Sequence, residues 1–200
     1  PFHSQNPESS FAHVPGLKIV CPATPHDAKG LLASAIEDPN PVLFFEHKHL
    51  YRRIKGEVPE DRYTVPFGTA NAHRQGDDAT IVTWGAMVHT ATEAAEELAK
   101  EGFEAEVLDL RTLIPWDKER VLEGVRRCSK VLVLHEDTRT GGFGAEIAAT
   151  IAEEAFEHLD APVVRLAAPD TPVPFSPPLE RAFIPQVEDV VTALRELAAY

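Results

Sequence analysis

The sequence predicts an α/β protein in two parts, and three observations carry that prediction. Apolar runs of strand length alternate with longer segments whose apolar residues recur on one helical face. A stretch of mixed charge and scattered prolines interrupts this pattern between about residues 50 and 71. The piece before that break is a single β-α-β unit, too small to hold a core alone. Strict alternation after the break implies a parallel sheet with helices on both faces and right-handed crossovers.

The elements follow in order. No apolar period is present before Leu17, so His3 and its neighbours read as a loop feeding a short buried strand at Leu17–Cys21. Pro22-Ala23-Thr24-Pro25 is a turn, and from His26 the residues Ala28, Leu31, Leu32, Ala35 and Ile36 share a helical face. Asp38-Pro39-Asn40-Pro41 ends that helix, because proline removes a backbone donor and restricts the residue before it. Val42–Phe45 is continuously apolar, as in a strand buried on both faces. Residues 1–49 therefore read as the tail of a larger domain, 50–71 as a linker, and 72–200 as a complete second domain. In that second domain strands are predicted at Ala79–Trp84, Ala105–Leu110, Val131–His135 and Pro162–Leu166. Helices are predicted around Met87, Ala91, Ala94, Ala95 and Leu98; Val121, Leu122 and Val125; Ile147, Ile151, Ala155 and Phe156; and Val187, Val190, Val191, Leu194 and Leu197.

Bulk properties narrow the function. The 32 acidic residues outweigh 19 basic ones, for a net charge of −13, which argues against a nucleic-acid partner. No apolar stretch is long enough to span a bilayer. Cys21 and Cys128, far apart, supply neither a metal motif nor a disulfide framework, so a reducing compartment is expected.

Several side chains invite chemistry. A loop rich in His, Ser, Gln and Asn before a strand, as at His3-Ser4-Gln5-Asn6, suits proton transfer. His47-x-His49 lacks a third ligand, and Arg139 stands where a zinc-protease motif starting at His135-Glu136 would need its second histidine. Thr140-Gly141-Gly142-Phe143-Gly144 has no following Lys-Ser or Lys-Thr and reads as a tight strand-to-helix turn rather than a phosphate cradle. Trp84, Asp109, His135, Glu136 and Asp137 fall near the carboxyl ends of predicted parallel strands, where open α/β sheets hold ligands.

The runs HSQNPESSFAHVPGLKIV and PATPHDAKGLLASAIEDPNPVLFFEHKHLYR resemble the β subunit of thiamine-diphosphate-dependent 2-oxoacid dehydrogenases, with the branched-chain (2-oxoisovalerate) type most similar and the pyruvate type next. EVLDLRTLIPWD, TGGFGAEIAATIAEE and APVVRLAAPDTPVPF continue the resemblance over nearly the whole chain. It implies a remnant of a pyrimidine-binding domain followed by a transketolase C-terminal-like domain, and a chain that begins mid-motif, without the segment that carries the cofactor-activating glutamate.

The resemblance also implies an assembly of two α and two β chains, with thiamine diphosphate between subunits and its diphosphate and Mg²⁺ held by the α chain. His3 would lie near the thiazolium and protonate the thiolate released when a lipoyl disulfide accepts the acyl group, with Ser4 and Gln5 orienting the loop. A structural potassium ion would take the carbonyls of Ala35 and Asp38 and the side chain of Asn40. Glu153, Glu154, Glu157 and Asp160 would help dock a small basic domain of the acyltransferase core, whose lipoyl domains receive the acyl group. The setting implied is bacterial cytoplasm, or mitochondrial matrix in a eukaryote. Two non-enzymatic readings compete: an α/β docking or assembly module, and a small-molecule binder at the strand ends. This chain alone is expected to lack decarboxylase activity.

Overall fold

Pro7 and Glu8 start a helix where the sequence suggested only loop, because a proline just before the first turn and an acid within it favour helix without any apolar repeat. The computed structural model describes residues 5–200, so His3 and Ser4 lie outside the described residues. Helix α1 (Glu8–Ala12) leads to strand β1 (Lys18–Val20), helix α2 (Pro25–Glu37) and strand β2 (Val42–Phe44). Thr24 caps α2, its hydroxyl accepting from the Asp27 N–H, and Pro25 occupies the first turn.

The second part runs β3 (Asn71–Arg74), β4 (Ala79–Thr83), α3 (Met87–Ala99), β5 (Ala105–Asp109), β6 (Thr112–Ile114), α4 (Lys118–Cys128), β7 (Val131–Thr138), α5 (Gly144–Glu154), β8 (Val164–Ala168), α6 (Pro177–Phe183) and α7 (Val187–Ala198). Its sheet has the order β3-β5-β4-β7-β8, with the last four strands parallel, as the alternation predicts. The sheet is nevertheless mixed, because β3 adds antiparallel to β5. Asn-Ala-His-Arg carries no strand signal of its own, and pairing with β5 makes it a strand. Alternating side chains build two cores. Ile81, Val107, Leu132 and Leu134 face α3 and α7. Val82, Leu108, Val131 and Val133 face α4 and α5. No helix among the described residues is long and apolar enough to cross a membrane.

The two parts share structure. β1 pairs parallel with β2 and antiparallel with β6, making a three-stranded sheet with a strand from each part. Ile19 and Cys21 are buried in the same cluster as Val82, Leu108 and Val133. Residues 54–70 form neither helix nor strand, yet they strap α2. The Val65 N–H donates to the Gly30 carbonyl (3.1 Å), and the Ser34 hydroxyl donates to the Val65 carbonyl (2.6 Å). Gly30 is required at this crossing, because a Cβ there would lie 2.5 Å from the Val65 side chain and 2.7 Å from Tyr63.

Three expected burials fail. Leu31 is buried, but Leu32 is exposed and Ile36 is 78% exposed, because strap and strands cover only one side of α2. β2 is half-buried rather than enclosed, as an edge strand of its sheet. Phe156 does not continue the apolar face of α5. Ala155 breaks the helix at φ −141°, and Phe156 sits on a 3-10 turn, 74% exposed.

The shared core has a measurable consequence. Ile19→Ala should cost the whole chain about 2–5 kcal/mol, the usual range for emptying a buried aliphatic site. Urea denaturation followed by Trp84 fluorescence checks this, since Trp84 lies in the other part; an unchanged Trp84 transition would contradict a common core.

Candidate functional site

The sharp end of β4 sets the first cluster. After Thr83 the chain turns through Trp84 and Gly85, and Gly85 takes φ +58°, a conformation that suits glycine. The Trp84 ring stacks on His135 within β7, with centroids 5.3 Å apart and planes 8° from parallel. Phe143 meets the indole edge-on at 6.1 Å. On the other side, Trp84 Nε1 donates to Glu8 Oε1 at 3.3 Å, so β4 holds α1 through one indole. The Ser9 hydroxyl donates to Asp137 Oδ2 at 2.9 Å, and His47 Nε2 lies 2.8 Å from Glu136 Oε2.

Gly142 and Gly144 now have a reason. A Cβ on Gly142 would come within 2.6 Å of His135 Cε1, and one on Gly144 within 2.5 Å of His135 Cδ2. The space they free is filled by the His135 imidazole, in agreement with the turn reading and against a phosphate cradle.

Burial sets the charge of this cluster. His135 is fully buried, with no hydrogen-bond partner at either ring nitrogen among the described residues. Its burial, reinforced by the Arg165 charge, lowers its pKa to about 4, so it is neutral near pH 7. Glu8 is also buried, and its Oε2 has no hydrogen-bond partner among the described residues. Its burial, with smaller contributions from the Asp137 and Glu136 charges, raises its carboxyl pKa to about 7 against opposing hydrogen bonds. Burial disfavours the charged form of His47, but the Glu136 hydrogen bond and the Glu136 and Glu8 charges outweigh it and move its pKa upward.

Asp109 does not join these strand-end residues. It lies in a second cluster with Asp27 and His73, where Asp109 Oδ1 accepts from the Arg111 N–H at 2.8 Å. Arg111, at φ +59°, places Nη1 3.1 Å from Asp27 Oδ1 and donates through Nε to the Thr69 carbonyl at 2.9 Å. One guanidinium thus ties α2, the strap and the β5–β6 corner together.

The remaining predicted residues sit apart. Gln5 is exposed before α1. At the end of α2 the Ala35 carbonyl has no helical donor, because Pro39 stands four residues on. Asp38 Oδ1 accepts from both the backbone and the side-chain nitrogen of Asn40, and Lys18 pairs with Asp38 Oδ2. Asn40 Oδ1 is left to accept a donor or a cation. Glu153, Glu154, Glu157 and Asp160 are all exposed, and Glu154 pairs with Lys118 at 2.9 Å. They flank an apolar groove of about 600 Å³ lined by Ala148, Ala152, Phe156, Leu159 and Val163. Glu8 and His73 were not singled out from the sequence. A five-residue helix and a four-residue edge strand are too short for a period to mark their buried side.

Residues 68–190 match the family model of the transketolase C-terminal domain, and residues 2–54 that of the transketolase pyrimidine-binding domain. The chain is 52% identical over 200 residues to the 2-oxoisovalerate dehydrogenase subunit beta of Bacillus subtilis, covering 61% of that protein. It is 48% identical over 199 residues to the mitochondrial 2-oxoisovalerate dehydrogenase subunit beta 2 of Arabidopsis thaliana, covering 55% of it. A third relative, at 50% identity over 97% of this chain and 57% of its own length, is the acetoin:2,6-dichlorophenolindophenol oxidoreductase subunit beta of Cupriavidus necator. The chain thus spans somewhat more than half the length of these relatives. Among solved structures, a split-gene transketolase described as an inactive beta4 tetramer superposes with a TM-score of 0.78 at 27% identity, over 96% of this chain and 60% of that one.

Glu8 and His135 make opposite, separable contributions to pH-dependent stability. The folded state holds the Glu8 proton more tightly than the unfolded chain, so the Glu8 contribution is full below about pH 4.5 and is lost as pH rises through about 7. His135 works the other way, its contribution full above about pH 6.5 and lost as pH falls through about 4. Glu8→Gln should therefore gain on wild type by about 3 kcal/mol between pH 4.5 and pH 7.5, read by urea denaturation at both values. A constant difference would place the Glu8 carboxyl in water.

Proposed function

This chain belongs to the transketolase family, and we propose on that premise that it is part of the β subunit of a branched-chain 2-oxoacid dehydrogenase component. The reaction is oxidative decarboxylation of a 2-oxoacid with transfer of the acyl group to a lipoyl group on the acyltransferase core. The observation that carries the reading is similarity to 2-oxoisovalerate dehydrogenase β subunits over the full chain, from a bacterium and a mitochondrion alike. The similar proteins with acetoin and pyruvate names, at 50% and 44% identity, make the substrate the open variable within one chemistry.

Thiamine diphosphate, when bound between the subunits, supplies the carbanion chemistry that makes CO₂ loss feasible. The role assigned to this chain is to deliver a proton. His3 precedes α1 in the sequence, and the indole and carboxylate contacts of Trp84, Glu8, Ser9 and Asp137 anchor that helix. An imidazole there, with an ordinary pKa of about 6.5, donates and accepts near neutral pH. Its task is to protonate the sulfur that leaves when the lipoyl disulfide opens, with Ser4 and Gln5 steadying the loop. Gly142 and Gly144 make room for His135, which fits a division of labour in which the α subunit carries the diphosphate and its Mg²⁺.

Two further assignments belong to this reading. The Ala35 and Asp38 carbonyls and the Asn40 side chain offer oxygens to a potassium ion at the end of α2. The rest of the coordination shell would come from outside these residues. Glu153, Glu154, Glu157 and Asp160, beside the groove under Phe156, present an acidic rim and an apolar floor to the basic domain of the acyltransferase core. The assembly is two α and two β chains, in the bacterial cytoplasm or the mitochondrial matrix.

Co-expression of the full-length β subunit with its α chain, followed by lipoyl acylation assays on branched and straight 2-oxoacids and acetoin, tests this directly. 3-Methyl-2-oxobutanoate should be the preferred substrate. His3→Ala should lower acyl transfer about 10²–10⁴-fold, the usual contribution of a positioned acid or base. Cofactor affinity should be unchanged. Pyruvate preference would move the protein to the pyruvate type, and an assembly with no turnover would make it a docking module. Lysine substitutions at Glu153 and Glu157 should weaken binding of the acyltransferase subunit-binding domain about tenfold or more in calorimetry, with dependence on salt.

A further inference from the structure

Asp109 is a fully buried carboxylate whose Oδ2 makes no well-formed hydrogen bond among the described residues, and the buried ring nitrogen that faces it, His73 Nε2, makes none either. The two atoms are 3.4 Å apart. That is long for an N–H···O bond, which settles near about 2.9–3.0 Å. It is the separation expected of two ligands on one tetrahedral Zn²⁺ ion, about 3.4 Å for bonds of about 2.0–2.1 Å. A carboxylate oxygen of Asp27 completes a set of three ligand atoms all within 4.8 Å of one another. Thr83, the cross-strand partner of Asp109, adds a buried hydroxyl that also lacks a partner among the described residues.

We propose that Asp27, His73 and Asp109 form a site for a divalent transition-metal ion of the Zn²⁺ class. One imidazole and two carboxylates balance a dication and match the borderline character of zinc. The Arg111 guanidinium on Asp27 Oδ1 orients that carboxylate as an outer-sphere partner, and its charge holds affinity below that of a site without it. His73 also lines a cavity of about 390 Å³, together with Thr24, His26, Arg53, Lys55 and His89. The ligands come from both parts of the chain: Asp27 from the first turn of α2, His73 from β3 and Asp109 from the end of β5. A bound ion therefore acts as a clamp between the two parts. This inference does not rest on the proposed reaction.

The test uses the full-length protein carrying this chain, stripped with chelator and titrated with Co²⁺ and with Zn²⁺. The expected result is one equivalent of metal per chain, a visible Co²⁺ spectrum that Zn²⁺ abolishes, and a rise in Tm of about 5 °C or more at a hundredfold excess over Kd. His73→Ala, on a half-buried edge strand, should keep the near-ultraviolet circular dichroism of wild type and lose at least about tenfold in affinity together with the Tm rise. Asp109→Asn should do the same to metal uptake. An absence of stoichiometric uptake, or uptake that His73→Ala leaves unchanged because surface histidines such as His26 account for it, would overturn the site.

Discussion

Trp84 holds the middle of this structure in two ways at once. Its face lies on a neutral, fully buried imidazole, and its N–H holds a buried carboxyl on the first helix. Each contact depends on the other. Without the His135 ring beneath it the indole would sit over a void made by two glycines, and without the indole the Glu8 carboxyl would lose the polar contact that offsets part of its burial. Unpartnered buried polar groups are costly, and the cluster tolerates them because His135 is neutral near pH 7 and burial holds the proton on Glu8 up to about that pH. α1 is only five residues long and has little stability of its own, so its position comes from this cluster.

That dependence fixes the start of the first part of the chain. The first part of the chain is held from the other side as well. β1 is paired to β6, Ile19 is buried among second-part residues, and Arg111 binds Asp27 and Thr69. The two parts share one core and one sheet.

Much of the second part was legible from periodicity alone. Helix α3 buries Met87, Ala91, Ala94, Ala95 and Leu98 as their spacing requires, and the four parallel strands fall within a few residues of their apolar runs. The illegible features share a physical cause: their structure comes from partners rather than from local pattern. Asn71–Arg74 is a strand because β5 offers it an edge, and Thr112–Ile114 is a strand because β1 does. The exposed Leu32 and Ile36 show the converse, a regular apolar face with nothing among the described residues to cover it. At the site, a histidine closing a predicted strand and the glycines at positions 142 and 144 were both visible. Only the fold shows that the glycines make room for that histidine. Glu8 was hidden because a single acid in a polar stretch gives no sign of burial.

The most direct measurement is a carbon-13 NMR titration of the side-chain carboxyl of Glu8, with the His135 ring nitrogens followed in parallel. A Glu8 carboxyl that titrates near pH 7 and a His135 ring that stays neutral down to about pH 4 are the predicted result. A Glu8 midpoint near 4.5, or a His135 ring protonated at pH 6, would mean that water reaches the indole stack and that α1 is not held as described.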